Sequence, residues 1–287
     1  MKAITTLMLI CLPFLLSAQV SVQKARPTAG EIIASIIKNT AAATIPNTVD
    51  IIKEGDPATP VTGIICCMFA TMDVLKEAVS KNCNLIVTHE PIYFNHLDDT
   101  KQFQNDPVFL EKRQYILDHK LVIWRFHDYI HSMQPDGILS GMVEKLDWKP
   151  FAIDSHLEQF LFPEMTLNEL LAGLKKTFPG NCFYVIGNPE MKVKKVCFSP
   201  GASGSAAHIK FLEDKDTDVV ILGEVEQWET YEYAREANLQ GRNKAIIALG
   251  HIPSEESGMK FCADWMKTFI KDVPIEFIKC GSSYWSY

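Results

Sequence analysis

Several common signals are scarce in this chain of 287 residues. There is no basic surplus: 28 Lys and Arg face 35 Asp and Glu, a formal charge of −7. Nucleic acid is therefore excluded as a partner, because phosphate contacts need a basic surface. The nearest thing to a basic cluster, Lys192, Lys194 and Lys195, is expected on a solvated strand edge. No CxxC pair occurs among the cysteines, and no low-complexity tract interrupts the chain. Past the N-terminus no apolar run is long enough to cross a membrane, which takes ~20 residues.

The N-terminus itself carries a shorter apolar run. Lys2 is a short positive segment, Leu7 to Leu16 is almost continuously apolar, and Ser17-Ala18 offers small residues before Gln19. Residues 1–18 read as a secretory signal peptide cleaved after Ala18, so export is expected. Cleavage removes Lys2 and Cys11, which takes the charge to −8 and leaves seven cysteines. An odd number without paired spacing does not indicate a disulfide framework, and buried thiols are expected.

The whole chain is 47% hydrophobic with mean hydropathy near zero, enough for one large or two ordinary well-cored domains. Glu31 to Lys38 has isoleucines on one helical face, and residues 53–60 read as a loop from Gly55, Pro57 and Pro60. Strand 62–68, a helix capped by Thr71, and strand 84–88 form a parallel crossover unit. Asp106-Pro107 opens a helix to about Lys120, and strand 121–126 follows. Residues 132–163 show no clear pattern. Thr166 to Glu169 is a capping box opening a helix to Phe178. Strands near 182–186, 193–198, 218–222 and 245–249 alternate with helices from Gly201–Ser205, over Glu226–Asn238, and after Pro253. The last strand is near Pro274–Lys279. The two stretches of strand, helix, strand, helix and strand look alike. They imply an α/β protein of two related α/β domains with mixed sheets, divided as 19–150 and 151–287.

Three strand ends carry the chemistry. The first ends in His89-Glu90-Pro91. Adjacent strand residues point to opposite faces, so the backbone must turn there for both side chains to share a site. The second ends in His127 and reaches His131 four residues on. The third ends in Gly250-His251, with Glu255 four residues on in the first helical turn. Strand ends of this kind are where open α/β sheets build sites. Each His taken alone is either a ligand or a satisfied polar residue; three corners sharing the pattern favour ligands. Imidazole with carboxylate suits Zn, Mn, Fe, Co or Ni, while Ca wants oxygens. Five or six donors exceed one tetrahedral site, so two divalent metal ions sharing a bridging carboxylate, Glu255, is the economical expectation. His96, His119, His156 and His208 are expected in surface or packing roles. The Gly201–Ser205 turn either holds an anion on free N–H groups or packs tightly.

Thr88-His89-Glu90-Pro91, His127 to His131, the Gly201–Ser205 turn and Gly250-His251-x-x-Ser254-Glu255 together resemble the Nif-three-like family, also called GTP cyclohydrolase one type two homologues. The resemblance spans about residues 30 to 280. It implies two α/β domains with a dinuclear metal site between them, and commonly a hexameric ring. Carried over by position, one metal would see His89, His251 and Glu255, and the other Glu90, His131 and Glu255. The family usually has His at the place of Glu90 and Asp at the place of His131. This reciprocal exchange conserves the ligand types. The family's Asp-Ala-Thr is Phe69-Ala70-Thr71 here, which removes a carboxylate near the cleft.

These readings point to an exported metal-dependent hydrolase of a small-molecule substrate. His127 would be its acid–base residue, and Glu224, at the matching corner of the second half, a further candidate. The alternatives are a non-catalytic metal-binding ring and, third, GTP ring opening, to which export is poorly suited.

Overall fold

The computed structural model describes residues 25–285, so the expected signal peptide lies outside the described residues. The chain builds two mixed five-stranded sheets. Helix α1 (Ala29–Asn39) comes first, under a Thr28/Glu31 capping box, and buries Ile32, Ile33 and Ile36. Strand β1 (Ile52–Glu54) follows and overlaps the start of the stretch 53–60 expected to be a loop. Its three residues are held by pairing with a distant strand rather than by their own pattern.

The first sheet's core is β2 (Ile64–Cys67), α2 (Met72–Ser80), β3 (Leu85–Thr88), α3 (Pro107–Asp118) and β4 (Val122–Arg125). The three strands are buried along their whole length and pair in parallel, β2 with β3 and β3 with β4. Continuous apolar runs are what strands covered on both faces require. Thr71 and Asp106 cap α2 and α3, accepting the N–H groups of Val74 and Phe109. β1 adds antiparallel to β4.

A short helix, α4 (Asp128–His131), follows β4, and the patternless stretch then holds α5 (Gly137–Leu146) and the start of β5 (Gln159–Thr166). Next come α6 (Leu167–Thr177), with the expected Thr166/Glu169 capping box, and β6 (Tyr184–Ile186). The second parallel core is β7 (Lys192–Ser199), α7 (Ser205–Glu213), β8 (Val219–Leu222), α8 (Glu232–Leu239) and β9 (Ala245–Ala248). A single π turn, Gln227–Tyr231, leads into α8. β5 and β6 close the sheet antiparallel, on β7 and β9. β7 is thus an interior strand, not the edge expected from its lysines. Lys192 and Lys194 reach Glu164 on β5, and Lys195 pairs with Asp214 at 2.6 Å.

The chain then returns. α9 (His251–Met266) starts at the end of β9 and packs on β2, and β10 (Ile275–Phe277) pairs parallel with β2. Met259, Cys262 and Met266 belong to the same apolar cluster as Ile64, Val87 and Trp124. Residues 251–277 therefore complete a sheet that begins before residue 150. α9 also crosses α5 at very close range. A Cβ on Gly141 would lie 2.3 Å from Ser257 O, and one on Gly258 would lie 2.5 Å from Ile138 Cα. Cys66, Cys67, Cys83, Cys197 and Cys262 are buried, as expected.

Candidate metal centre

Parallel strands send their C-terminal ends the same way, so the residues after β3 and β4 meet at one edge. The backbone turns after Thr88 as anticipated: the N–H groups of His89 and Glu90 donate to Cys67 O and Met68 O, and both side chains reach one site. His89 Nε2 lies 3.9 Å from Glu90 Oε1. From β4, His127 stacks on His89 at 4.7 Å between ring centroids, and His131 meets both rings at 5.0 and 4.9 Å. From the second sheet's corner come His251 and Glu255. His251 is the first residue of α9, so Pro253 stands third rather than first, still within the turn whose N–H groups need no partner. Residues four apart share a helix face, and His251 Nε2 lies 3.0 Å from Glu255 Oε2. The two sheets meet through His251 Nε2 and Glu90 Oε1, 3.2 Å apart.

All five expected ligands, His89, Glu90, His131, His251 and Glu255, thus converge, with His127 among them. The groupings differ from the carried-over sets. Glu90 clusters with His89 and Glu255, on the His251 side, and His127 clusters with His89 and His131. His127 therefore has the placement of a ligand as well as that of an acid–base residue.

The outer partners are more uniform than the donors. Each of the four histidines engages an oxygen through Nδ1: His89 with Phe126 O at 3.1 Å, His127 with Asp128 Oδ1 at 2.9 Å, His131 with Asp136 Oδ2 at 2.7 Å, and His251 with Glu224 Oε1 at 3.0 Å. An acceptor at Nδ1 fixes the ring's orientation and leaves Nε2 to the centre, the usual support of a metal-bound histidine. Asp128 and Asp136 are in turn anchored. Asp128 Oδ2 accepts from Thr48 Oγ1 and Val49 N, and Asp136 Oδ1 caps α5. Asp50 accepts the N–H groups of His127, Asp128 and Tyr129, which sets the start of α4.

Arg125 ties the first half of the centre together. It is fully buried, donates from Nε to His89 O at 3.1 Å, and stands 3.5 Å from Glu90 Oε2. It also donates to His96 O. Spacing rules did not reveal it; the available signal was a lone charge inside a strand buried on both faces. His96 is likewise more than a surface residue, with its ring 5.9 Å from that of His127. His208 is buried, as a packing role requires.

The electrostatics are those of donors crowded in a buried site. Burial, then the fields of His131 and His127, hold His89 well below the usual imidazole range. Burial and His131 lower His127, against the pull of Asp128. Burial opposes charge on His131 too, but Asp136 pushes it up to about 9. Against the same burial penalty, the carboxylates of Glu224, Glu255 and Glu90 push His251 up to about 12. Burial alone would raise Glu90, yet the hydrogen bond from His251 and the neighbouring imidazoles hold it down at about 2.

The donor set fits a divalent cation. Among the described residues, His89 Nε2 is buried without a hydrogen-bond partner, 3.7 Å from Glu255 Oε2, whose own near neighbour is His251 Nε2 at 3.0 Å. Buried polar atoms are nearly always satisfied, and unsatisfied ones are costly. A cation coordinated by His89 Nε2 and Glu255 Oε2 would satisfy the imidazole. The second sheet presses Glu255 into place from behind. A Cβ on Gly201 would lie 2.2 Å from Glu255 Oε1, and Gly201 N donates to Ser254 Oγ. The Gly201–Ser205 turn is therefore tightly packed against the α9 corner.

Buried imidazole and carboxylate donors at the strand ends of a two-sheet α/β protein define a chain able to hold metal ions between its halves. It belongs to the Duf34/NIF3 (NGG1p interacting factor 3) family, whose sequence profile matches residues 31–283. A GTP cyclohydrolase 1 type 2 homolog of Clostridium acetobutylicum is 26% identical over 219 residues, covering 70% of this chain and 75% of that protein. The fold is shared with a Bacillus cereus protein related to NIF3, at TM-score 0.73 and 14% identity, over 92% of this chain and 99% of the other. It is shared as well with a Staphylococcus aureus hypothetical protein, at TM-score 0.71 and 14% identity, over 91% and 99%.

Proposed function

We propose that the centre holds two divalent cations, drawn from Zn, Mn, Fe, Co or Ni, and that the protein is a metal-dependent hydrolase. The observation that carries this reading is the set of four histidines, each with Nδ1 occupied by an oxygen, gathered with Glu90 and Glu255 around the buried and unpartnered His89 Nε2. His89, Glu90, His131, His251 and Glu255 would hold the cations; Glu255 stands in the cluster with His89 and Glu90, and His89 is common to both clusters. Such cations supply Lewis acidity and activate water for attack on a carbonyl or phosphoryl centre. The chain's own part is orientation and proton transfer. His127, kept neutral by burial, can accept a proton at Nε2 while Asp128 steadies the imidazolium through Nδ1. Glu224 holds His251 and lies at the mouth, at 59% side-chain exposure, where it can exchange protons with solvent.

Export through residues 1–18 and assembly into a homo-oligomeric ring belong to the same proposal. Both are open to cell fractionation and sedimentation. GTP, which relatives carry in their names, is a weaker substrate for an exported protein. The test of the proposal is elemental analysis of purified protein followed by a hydrolase panel of esters, amides and phosphoesters. Stoichiometric metal with turnover of at least one class is expected. A metal-loaded protein inert on every class would leave a non-catalytic metal-binding role and end the hydrolase reading.

A further inference from the structure

Beside Glu90 and His251 the structure opens a chamber of about 650 Å³, a size that holds a small molecule. Its wall is unlike the polar centre it adjoins. Phe69, Met72, Ile92, Phe94, Val108 and Ile252 supply an apolar side. Phe94 is 55% exposed and Val108 61%, so large apolar surface is left uncovered next to the centre. Phe94 also has φ +59°, a left-handed conformation unfavourable for an aromatic residue. Asp98 maintains it, accepting the N–H groups of Ile92 and Tyr93 at 2.8 Å each.

The chamber is also poor in free positive charge. Among the described residues Lys112 is the one Lys or Arg on its wall. Its Nζ donates to Ile92 O at 2.8 Å, and burial lowers its ammonium to about 8. Lys53 and Arg125, nearby, are almost fully buried and stand 3.3 and 3.9 Å from Asp98. A polyphosphate seated here would find no uncommitted cation to pair with its charge.

We infer that the substrate is an ester or amide of an apolar acid, whose acyl chain or ring fills this chamber while its carbonyl reaches Glu90 and His251. The inference rests on the hydrolase reading of the centre. In the reaction, water's oxygen bonds to the acyl carbon, the C–O or C–N bond breaks, and water's proton leaves on the alcohol or amine. No oxidant or further reactant is needed.

Two chelators with the same head separate the inference from the reading beneath it. Zinc-loaded protein is titrated calorimetrically with acetohydroxamate and with octanohydroxamate. The longer chain is expected to bind at least about tenfold more tightly, since each buried methylene contributes favourably. Val108→Asp is expected to bring the two affinities together. Val108 is exposed in the first turn of α3, where a carboxylate suits the helix, so the variant should fold. Equal binding of the two chelators by the unaltered protein overturns the chamber's role and leaves the metal centre standing. An affinity ratio unchanged by Val108→Asp overturns it too. If neither chelator binds, the metal-centre reading fails and takes the inference with it.

Discussion

The two sheets end in different ways where they meet. The strand ends of the first sheet carry side chains with donors: His89 and Glu90 after β3, His127 and His131 after β4. The matching ends of the second sheet carry glycines: Gly201 after β7, Gly223 after β8 and Gly250 after β9. These allow backbone to press where a side chain would clash. A Cβ on Gly223 would lie 2.2 Å from Gly201 O, and Gly250 sits at φ +93°. One half thus delivers most of the ligands. The other forms a close-packed floor that projects two, His251 and Glu255, back toward the first. Two copies of one α/β unit have divided supply and support between them.

The comparison breaks most completely if the second sheet's projecting ligand is removed. Glu255→Ala is expected to lower metal affinity by more than about 100-fold, since loss of an outer-shell partner alone costs 10–100-fold. Metal titration of the chelated protein measures it. The floor itself is tested by Gly201→Ala. The new Cβ meets Glu255 Oε1 and requires an unfavourable positive φ, so a stability loss of roughly 1–3 kcal/mol and weaker metal binding should appear together. Denaturation of the metal-free protein beside titration of the same sample shows whether they do.

Support in the two halves can then be ranked. Asp136→Asn keeps the Oδ1 cap on α5 but replaces the acceptor that orients His131; Glu224→Gln does the same to His251. The Asp136 side chain is 16% exposed and that of Glu224 59%. The first substitution should therefore cost about 10–100-fold in metal affinity and the second clearly less. An equal loss would mean that both halves orient their ligands alike.

Proton uptake separates the halves more gently. In the metal-free protein His131 is raised to about 9 from an ordinary 6.5. Its proton stabilises the fold fully below about pH 6.5, and that contribution is lost as pH rises through about 9. His208 on the second sheet behaves oppositely. Burial lowers it to about 4 from 6.5, so the unfolded chain takes up the proton first, and stability falls as pH drops from about 6.5 toward 4. Denaturation across pH, with Asp136→Asn and His208→Gln as references, should show on the order of 3 kcal/mol in each window.

Much of this was legible in the sequence, for local reasons. The buried strands are continuous apolar runs, and the caps at Thr71, Asp106 and Thr166 announce helices by short-range chemistry. The metal corners were legible because each places a donor directly after such a run. The parts that were not legible depend on distant chain. β1 and β10 are three-residue strands held by β4 and β2. β5 breaks its alternation at Pro163, between Leu161 and Met165, where its register shifts. α5 contains Gly137 and Gly141, which read as helix breakers; Gly141 serves the close crossing with α9, and Gly137 the close approach of Ile130. Arg125, Asp128 and Asp136 act through contacts that no spacing rule predicts.

The account turns on cations lying where donors from both sheets converge. Anomalous diffraction at the zinc edge from zinc-soaked crystals examines that location directly. The expected result is density within bonding distance of His89 Nε2 and Glu255 Oε2, with His251 completing the same cluster. A map featureless between those atoms, from crystals shown by elemental analysis to contain zinc, would contradict it.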